Sequence, residues 1–260
     1  MNGDVSLVPP LDVSRWYYRA GYIAGARILS AYHRTRVRGG GANLPPAGPC
    51  IYVAHHGAGY FTLDLVVACY ELAWRVWHER RGPLVPLRIV ASRDHAMERV
   101  VPGLRAAKRH VGIIDPSEAA SLAVLERGEQ LLITPGGRRE ARPEARDYKL
   151  RWGDRLGFAR LALRTGVPII PLAVVGGFEA YPGWSRGKRS FWSPLPLPVR
   201  LDVALGTPII VSQLESAGDT AAARRLHEHA WRVTQSLYDE VVAERRTERD
   251  GHLKRARAHT

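Results

Sequence analysis

Short apolar runs alternate along the chain with polar and glycine-rich segments. Between several of these runs, apolar positions recur every three or four residues, which predicts helices over 64–80, 95–110, 117–127 and 153–165. Strands that alternate with helices predict an α/β fold, with a mostly parallel central sheet flanked by helices on both faces. The apolar runs that predict buried strands are residues 50–54, 87–92, 111–115, 129–134, 167–175 and 200–205.

Both ends of the chain have a helical pattern. Residues 12–36 predict an N-terminal amphipathic helix, which either lies on a membrane surface or packs on the domain. A last helix starts near Asp219, and the sequence predicts a basic mobile tail over 246–260. The predicted organisation is a membrane-proximal segment (1–36), one α/β domain (37–245) and this tail. The apolar side of the first helix comprises Val13, Tyr17, Ala20, Ala24, Ile28 and Ala31, and its basic arc comprises Arg15, Arg19, Arg27 and Arg34.

The charge balance indicates an anionic partner. The chain has 38 Lys and Arg against 25 Asp and Glu, a net charge of +13. Nucleic acid, a membrane surface or a polyphosphate ligand would each suit this excess. No apolar run reaches the ~18 residues of a membrane span, and the N-terminus lacks a signal-peptide pattern. We therefore expect a cytoplasmic protein, peripheral on the inner face of the cell membrane, with Cys50 and Cys69 as buried reduced thiols.

The segment VAHHGAGYFTLD (53–64) is the first candidate for chemistry. His56 follows a predicted strand on a turn that Gly57 and Gly59 allow to approach a ligand closely. Asp64 begins the next helix and can fold back toward the imidazole. A carboxylate on one ring nitrogen would fix the tautomer and leave the other nitrogen as a general base.

The segment LLITPGGRREARPEAR (131–146) is the second candidate. A predicted strand ends at Thr134, and a Pro-Gly-Gly turn then presents Arg138, Arg139 and Glu140. Backbone amides and guanidinium groups at such a turn predict an anion-binding nest. The alternative is a glycine turn followed by a solvated run of charges.

Two other patterns are set aside. GWSRG (183–187) matches the nucleophile-elbow motif around Ser185, but the flanking residues predict neither the preceding strand nor the following helix. HEH (227–229) has no metal-ligand spacing, and we predict no metal site and no cofactor.

Aromatic and basic residues interleave only in one cluster, which we interpret as a membrane-facing or acyl-channel loop. The cluster comprises Trp184, Arg186, Lys188, Arg189, Phe191 and Trp192.

In order, IYVAHHGAGYFTLD, VGIID, LLITPGGRRE and GFARLALRTGVPIIPLAVVG resemble the blocks of the glycerolipid (lysophospholipid) acyltransferase superfamily. The nearest branch contains the mono- and diacylglycerol acyltransferases. The resemblance covers roughly residues 37–210, and it implies the α/β acyltransferase fold.

The resemblance assigns roles to individual residues. His56 falls on the catalytic histidine and Asp64 on its partner, although seven residues separate them here and four in the best-known spacing. His55 occupies the position of the usual Asn. Gly57, Gly136, Gly137, Arg139 and Glu140 are the residues expected to bind substrate.

The implied reaction moves an acyl group from acyl-coenzyme A (acyl-CoA) or an acyl carrier protein to a lipid hydroxyl. His56 would deprotonate the hydroxyl, so no covalent enzyme intermediate is needed. The expected partners are the acyl donor, a lipid acceptor and an anionic membrane surface, and no nucleic acid. The alternative is a catalytically inactive basic protein that binds anionic membrane or nucleic acid on the same fold, and thioester hydrolysis is a third option.

Overall fold

The computed structural model describes residues 8, 13, 15–39, 44, 48–58, 62–80, 84–91, 103, 112–186, 189–193, 195–211 and 219–258. The helices are α1 (Trp16–Tyr32), α2 (Leu63–Arg80), α3 (Glu118–Glu126), α4 (Gly157–Thr165), α5 (Gly177–Ala180) and α6 (Thr220–Ala258). The strands are β1 (Arg36–Arg38), β2 (Ile51–Val53), β3 (Leu87–Val90), β4 (Ile113–Ile114), β5 (Gln130–Ile133), β6 (Ile169–Val175), β7 (Gly183–Arg186), β8 (Arg189–Trp192) and β9 (Asp202–Leu205). The predicted helix over 95–110 lies outside the described residues except for Gly103. Gly59 and Lys188 also lie outside them.

Seven strands form one mostly parallel sheet in the order β1-β9-β6-β2-β5-β3-β4. The central strand β2 is parallel to both of its neighbours, β5 and β6. Only β9 runs antiparallel to its neighbour β6, and β1 then pairs parallel to β9. The predicted α/β class is confirmed, and each of the six predicted strands is present in shortened form.

Helices cover both faces of the sheet because its central strands are apolar on both sides. Ile51 and Val53 of β2 pack on one face with residues of α3, α4 and α6. Tyr52, between them, packs on the other face with residues of α2. This two-sided burial is the reason that the central strands are near-continuous apolar runs rather than alternating ones.

The N-terminal helix α1 packs on α2 through a face other than the apolar side defined by the sequence pattern. The packed face brings Gly25 against the ring of Tyr70 and the Arg19 guanidinium over the ring of Trp77, 5.5 Å from its centroid. The predicted apolar side is exposed at Tyr17, Ala20, Ala24, Ile28 and Ala31. The helix therefore packs on the domain, as one of the two alternatives predicted, but through a different face. Among the helices within the described ranges, none is long and apolar enough to cross a membrane.

The C-terminal helix α6 continues to Ala258, where the sequence predicts a tail from residue 246. Ion pairs of Arg245 and Glu248 join this part of the helix to β1, to β9 and to the segment before β9. Glu248 lies 2.6 Å from both Arg36 and Arg200, and Arg245 Nη1 lies 2.6 Å from Asp202. The helical conformation therefore extends past the predicted boundary at residue 245.

Candidate active site

Three turns meet at one edge of the sheet, where β2, β5 and β6 end. Because these strands are neighbours and parallel, their carboxyl ends lie side by side. This edge is where open α/β sheets bind their ligands. The turn carrying His56 and the Pro135-Gly136-Gly137 turn therefore lie on the same edge of the sheet.

His56 is partly exposed on the turn that follows β2. Its Nδ1 lies 2.8 Å from the carbonyl oxygen of Gly57. A carbonyl can only accept a hydrogen bond, so in this contact Nδ1 carries the proton. The neutral ring then has its lone pair on Nε2, the arrangement that a general base requires. A backbone carbonyl thus performs the tautomer selection that sequence reasoning gave to Asp64.

Asp64, near the start of α2, is buried against this turn. Its Oδ2 accepts a hydrogen bond from the backbone N–H of Ala58 at 3.1 Å, and its Oδ1 accepts one from the N–H of Leu65 at 3.0 Å. Its carboxylate lies so close to Gly57 and Gly177 that a Cβ at either position would overlap it. Burial raises the pKa of Asp64 to about 6. The structure thus brings Asp64 to the turn that carries His56.

Glu140 has a position that sequence reasoning missed. The residue is fully buried, and its Oε2 accepts the backbone N–H of His56 at 2.9 Å. Its Oε1 accepts the N–H of Arg151 at 2.6 Å. Burial raises the pKa of this carboxyl to about 7, although both backbone donors and nearby arginines oppose that shift. Gly136 is required beside it, because a Cβ there would overlap the Glu140 carboxylate.

The Pro-Gly-Gly turn is less open to an anion than the sequence predicts. The backbone amides of Gly137, Arg139 and Glu140 all donate to carbonyl groups within the turn. These three amides are therefore not available to an anion, and the predicted nest is wrong for them. Arg155 Nη1 donates to the carbonyls of Pro135 and Gly136 at 2.9 and 3.0 Å, a clamp that the sequence did not reveal. Arg138 and Arg139 are both exposed, and Arg139 lies beside Gly153.

His55 lies behind His56 in an aromatic pocket. Its ring is 5.7 to 5.9 Å from those of Tyr148, Phe178 and Tyr238, and its Nδ1 is 2.7 Å from the carbonyl of His56. Burial lowers its pKa to about 4, so the ring is neutral at physiological pH. This environment makes His55 a packing residue.

Tyr238 of α6 connects the long helix to the site. Its hydroxyl oxygen accepts the backbone N–H groups of His55 and Val174, at 3.1 and 3.2 Å. The buried face of α6 includes Ala230, Thr234, Tyr238 and Val241, and their four- and three-residue spacing is the signal for it in the sequence.

Three features named in the sequence have no catalytic geometry. Ser185 lies in the β7–β8 hairpin, with its hydroxyl 3.3 Å from that of Ser190, so the strand-turn-helix context of a nucleophile elbow is absent at this position. In the described part of the chain no three His, Cys, Asp or Glu side chains group as metal ligands would. Cys50 and Cys69 are buried free thiols.

Comparisons with known proteins identify the family to which the sequence is similar. The sequence model of the family described as Acyltransferase matches residues 36–175. The chain is 31% identical over 177 residues to a Bos taurus protein and 30% identical over 177 residues to a Homo sapiens protein, both named "DGAT1/2-independent enzyme synthesizing storage lipids". These alignments cover 64% of this chain and 49% and 51% of the relatives.

A bacterial relative extends the similarity further along the chain. An uncharacterized protein of Mycobacterium tuberculosis (strain ATCC 25618 / H37Rv) is 27% identical over 226 residues, which cover 78% of this chain and 61% of that protein. The chain thus spans about half the length of the animal relatives and 61% of the mycobacterial one.

Proposed function

Because the chain belongs to the acyltransferase family, we propose that it moves a fatty acyl group from acyl-CoA or an acyl carrier protein to a lipid hydroxyl, with His56 as the general base. The observation that carries the proposal is the contact between His56 Nδ1 and the Gly57 carbonyl, which leaves Nε2 as the basic nitrogen. A base prepared in this way at the carboxyl edge of the sheet favours catalysis over the alternative of an inactive binding protein.

The proposed step needs no covalent enzyme intermediate. His56 Nε2 takes the hydroxyl proton while the acceptor oxygen attacks the thioester carbonyl carbon. Collapse of the tetrahedral intermediate breaks the C–S bond, and the leaving thiolate receives the proton from the imidazolium. The products are an ester, a free thiol and a neutral His56, so the enzyme returns to its starting state.

Asp64 and Glu140 would act on His56 through the backbone. Glu140 accepts the N–H of His56, and Asp64 lies against Gly57, whose carbonyl holds the ring. The buried carboxyl groups of Asp64 and Glu140 lie against this turn, and in their ionised form they would also stabilise the imidazolium that forms during transfer. In this proposal both are positioning residues, whereas Arg139 and the glycine turns are the groups nearest to a bound substrate.

The acceptor is proposed to be a neutral lipid or a glycolipid at a membrane surface. The superfamily block that matches the Pro-Gly-Gly turn has a second form, which is associated with phosphate-bearing acceptors. Gly136 stands where that form has a glutamate. The animal relatives are named for the synthesis of storage lipids, which supports a neutral acceptor. The exposed apolar side of α1 supports peripheral attachment, because such a face can enter the headgroup region of a bilayer.

The test is lipid analysis of a reaction that contains acyl-CoA and four acceptors: lysophosphatidate, monoacylglycerol, diacylglycerol and a long-chain alcohol. The proposal expects an acylated monoacylglycerol or diacylglycerol product that disappears in His56→Ala. Release of free fatty acid without ester formation would indicate thioester hydrolysis. Absence of any turnover with either donor carrier would favour the inactive binding protein.

A further inference from the structure

A strongly basic cavity lies beside the candidate active site and is lined by Tyr148, whose ring also contacts His55. Its volume is about 820 Å³, within the range of small-molecule sites. Val175, the last residue of β6, lines it, so the cavity opens at the same carboxyl edge of the sheet as His56. Tyr148 forms a common wall, with its ring on His55 and its hydroxyl bonded to Glu179 at 2.8 Å.

The cavity concentrates positive charge. Its walls carry six arginines against two glutamates, Glu179 and Glu248, a formal excess of four positive charges. Four separate parts of the chain supply these arginines, so the excess does not come from one helical run. They are Arg34, Arg146, Arg200, Arg245, Arg246 and Arg249.

Half of these arginines have a fixed place in the structure. Arg34 donates to the carbonyl of Pro198, Arg200 pairs with Asp202 and Glu248, and Arg245 pairs with Asp202. Their guanidinium groups hold the wall between α6 and the start of β9 in place.

Arg146 and Arg246 are different, because within the described part of the chain neither guanidinium group has a hydrogen-bond or ion-pair partner. Arg249 is only 3.9 Å from its neighbour Asp250. Because six arginines outnumber two glutamates in the cavity walls, an anion that enters the cavity reduces the repulsion between their guanidinium groups.

We propose that this cavity binds the phosphate groups of a substrate whose reactive end lies at His56. Planar guanidinium groups bind phosphate oxygens in pairs, and several arginines around one cavity suit a ligand with more than one phosphate charge. Two sources have this chemistry: the nucleotide end of coenzyme A and the phosphate of a lipid headgroup. The inference rests on the proposed function for the reactive end only, since binding of phosphate does not require turnover.

The cavity is tested by titration calorimetry on the full chain with adenosine 3′,5′-bisphosphate and with sn-glycerol 3-phosphate. We expect saturable binding, weakened at least tenfold in the double variant Arg146→Gln, Arg246→Gln. The loss of two charge-assisted contacts is sufficient for such a change. Both residues are exposed, so the variant should fold normally. Tighter binding of the bisphosphate assigns the cavity to the coenzyme, and tighter binding of glycerol phosphate assigns it to a lipid headgroup.

The matched control is Arg225→Gln, Arg232→Gln, which removes two exposed arginines of the same helix outside the cavity. This control should bind both probes as the wild type does. Equal weakening in the two double variants, or no saturable binding of either probe, overturns the proposal. His56→Ala should bind normally, so an anion site that survives in a protein without transferase activity separates this inference from the proposed function.

Discussion

Two adjacent histidines have opposite environments, and this difference decides which of them is the candidate base. His56 is partly exposed and its Nδ1 is held by a carbonyl, whereas His55 is enclosed by three aromatic rings with its pKa lowered to about 4. The family resemblance selects His56 by alignment. The structure supplies the physical reason, which depends on Tyr148, Phe178 and Tyr238, far away in the sequence.

His56→Ala should therefore abolish transfer and leave the fold intact. Loss of a general base costs roughly 10²- to 10⁴-fold in rate, and a partly exposed turn residue contributes little to packing. Steady-state rates and far-UV circular dichroism measure both effects. His55→Asn, which restores the residue usual in the family, should keep transfer within about tenfold of the wild type by this assignment. A folded, active His56→Ala protein would move the role to His55.

Asp64 should make stability depend on pH in a direction set by its burial. Its pKa is about 6 in the fold and 3.8 in the unfolded chain, so between these values the folded protein holds a proton that the unfolded chain has released. The free energy of unfolding should then rise as pH falls through 6. Asp64→Asn lacks this gain, so between pH 7 and pH 5 the wild type should gain roughly 1 kcal/mol relative to the variant.

Urea unfolding of both proteins at pH 5, 6 and 7 measures this difference. His55 acts in the opposite direction, since its lowered pKa makes the unfolded chain bind a proton below pH 6.5, but it does so equally in both proteins. Parallel pH profiles would show that Asp64 is not buried as an ionisable group.

At the scale of elements, the sequence predicted what depends on neighbouring residues and missed what depends on distant ones. The strands β2, β5 and β6 are apolar runs, so their positions followed from periodicity. β1 has the sequence Arg-Val-Arg, and it forms a strand because it pairs with β9, where Arg36 lies opposite Asp202, 166 residues later in the chain. The hydrogen bond from the N–H of His56 to Glu140 joins residues 84 positions apart, so no local sequence pattern predicts it.

The turn after β5 gives a test at this scale. Arg139→Lys keeps the charge but loses the planar fork that can grip a phosphate or carboxylate in two places. If Arg139 contacts substrate, the change should raise KM for the donor or the acceptor several-fold and leave kcat nearly unchanged. Arg138→Lys, on the same exposed turn, is the control and should have wild-type kinetics. Identical kinetics in both variants would remove Arg139 from the site.

The exposed side of α1 gives a second test. Ile28→Ser and Trp16→Ser should weaken sedimentation with anionic vesicles, because each removes exposed apolar area that would enter the headgroup region. Ile210→Ser is the matched control. Ile210 is 80% exposed, as Ile28 is 66% exposed, but it follows Ile209, which pairs with the amino-terminal end of β6, the edge opposite His56. Equal losses in all three variants would argue against a specific docking face.

At the scale of the whole molecule, the net positive charge and the basic cavity both favour an anionic partner. The charge of +13 is a property of composition and could be predicted. Its placement could not, because the basic cavity forms only when α6, β9 and the segment after the Pro-Gly-Gly turn come together.

The exposed face of α1 continues into a second exposed apolar segment. The Tyr32 hydroxyl, at the end of α1, donates to the carbonyl of Pro196, and this contact joins α1 to the loop that carries the exposed Leu195 and Leu197.

An apolar face on a basic molecule should bind anionic vesicles in two separable ways. Electrostatic attraction contributes about 1 kcal/mol for each basic residue near an anionic surface. It is screened as the Debye length falls from about 10 Å at 0.1 M salt to about 3 Å at 1 M salt. Insertion of apolar side chains does not weaken with salt.

We therefore expect strong sedimentation with anionic vesicles at low salt, a large loss at high salt, and a weak, salt-insensitive remainder that matches binding to neutral vesicles. Ile28→Ser should reduce the remainder and leave the salt-dependent part unchanged. Equal recovery with neutral and anionic vesicles at both salt concentrations would contradict electrostatic attachment. The positive charge would then serve only to bind a phosphate-bearing substrate.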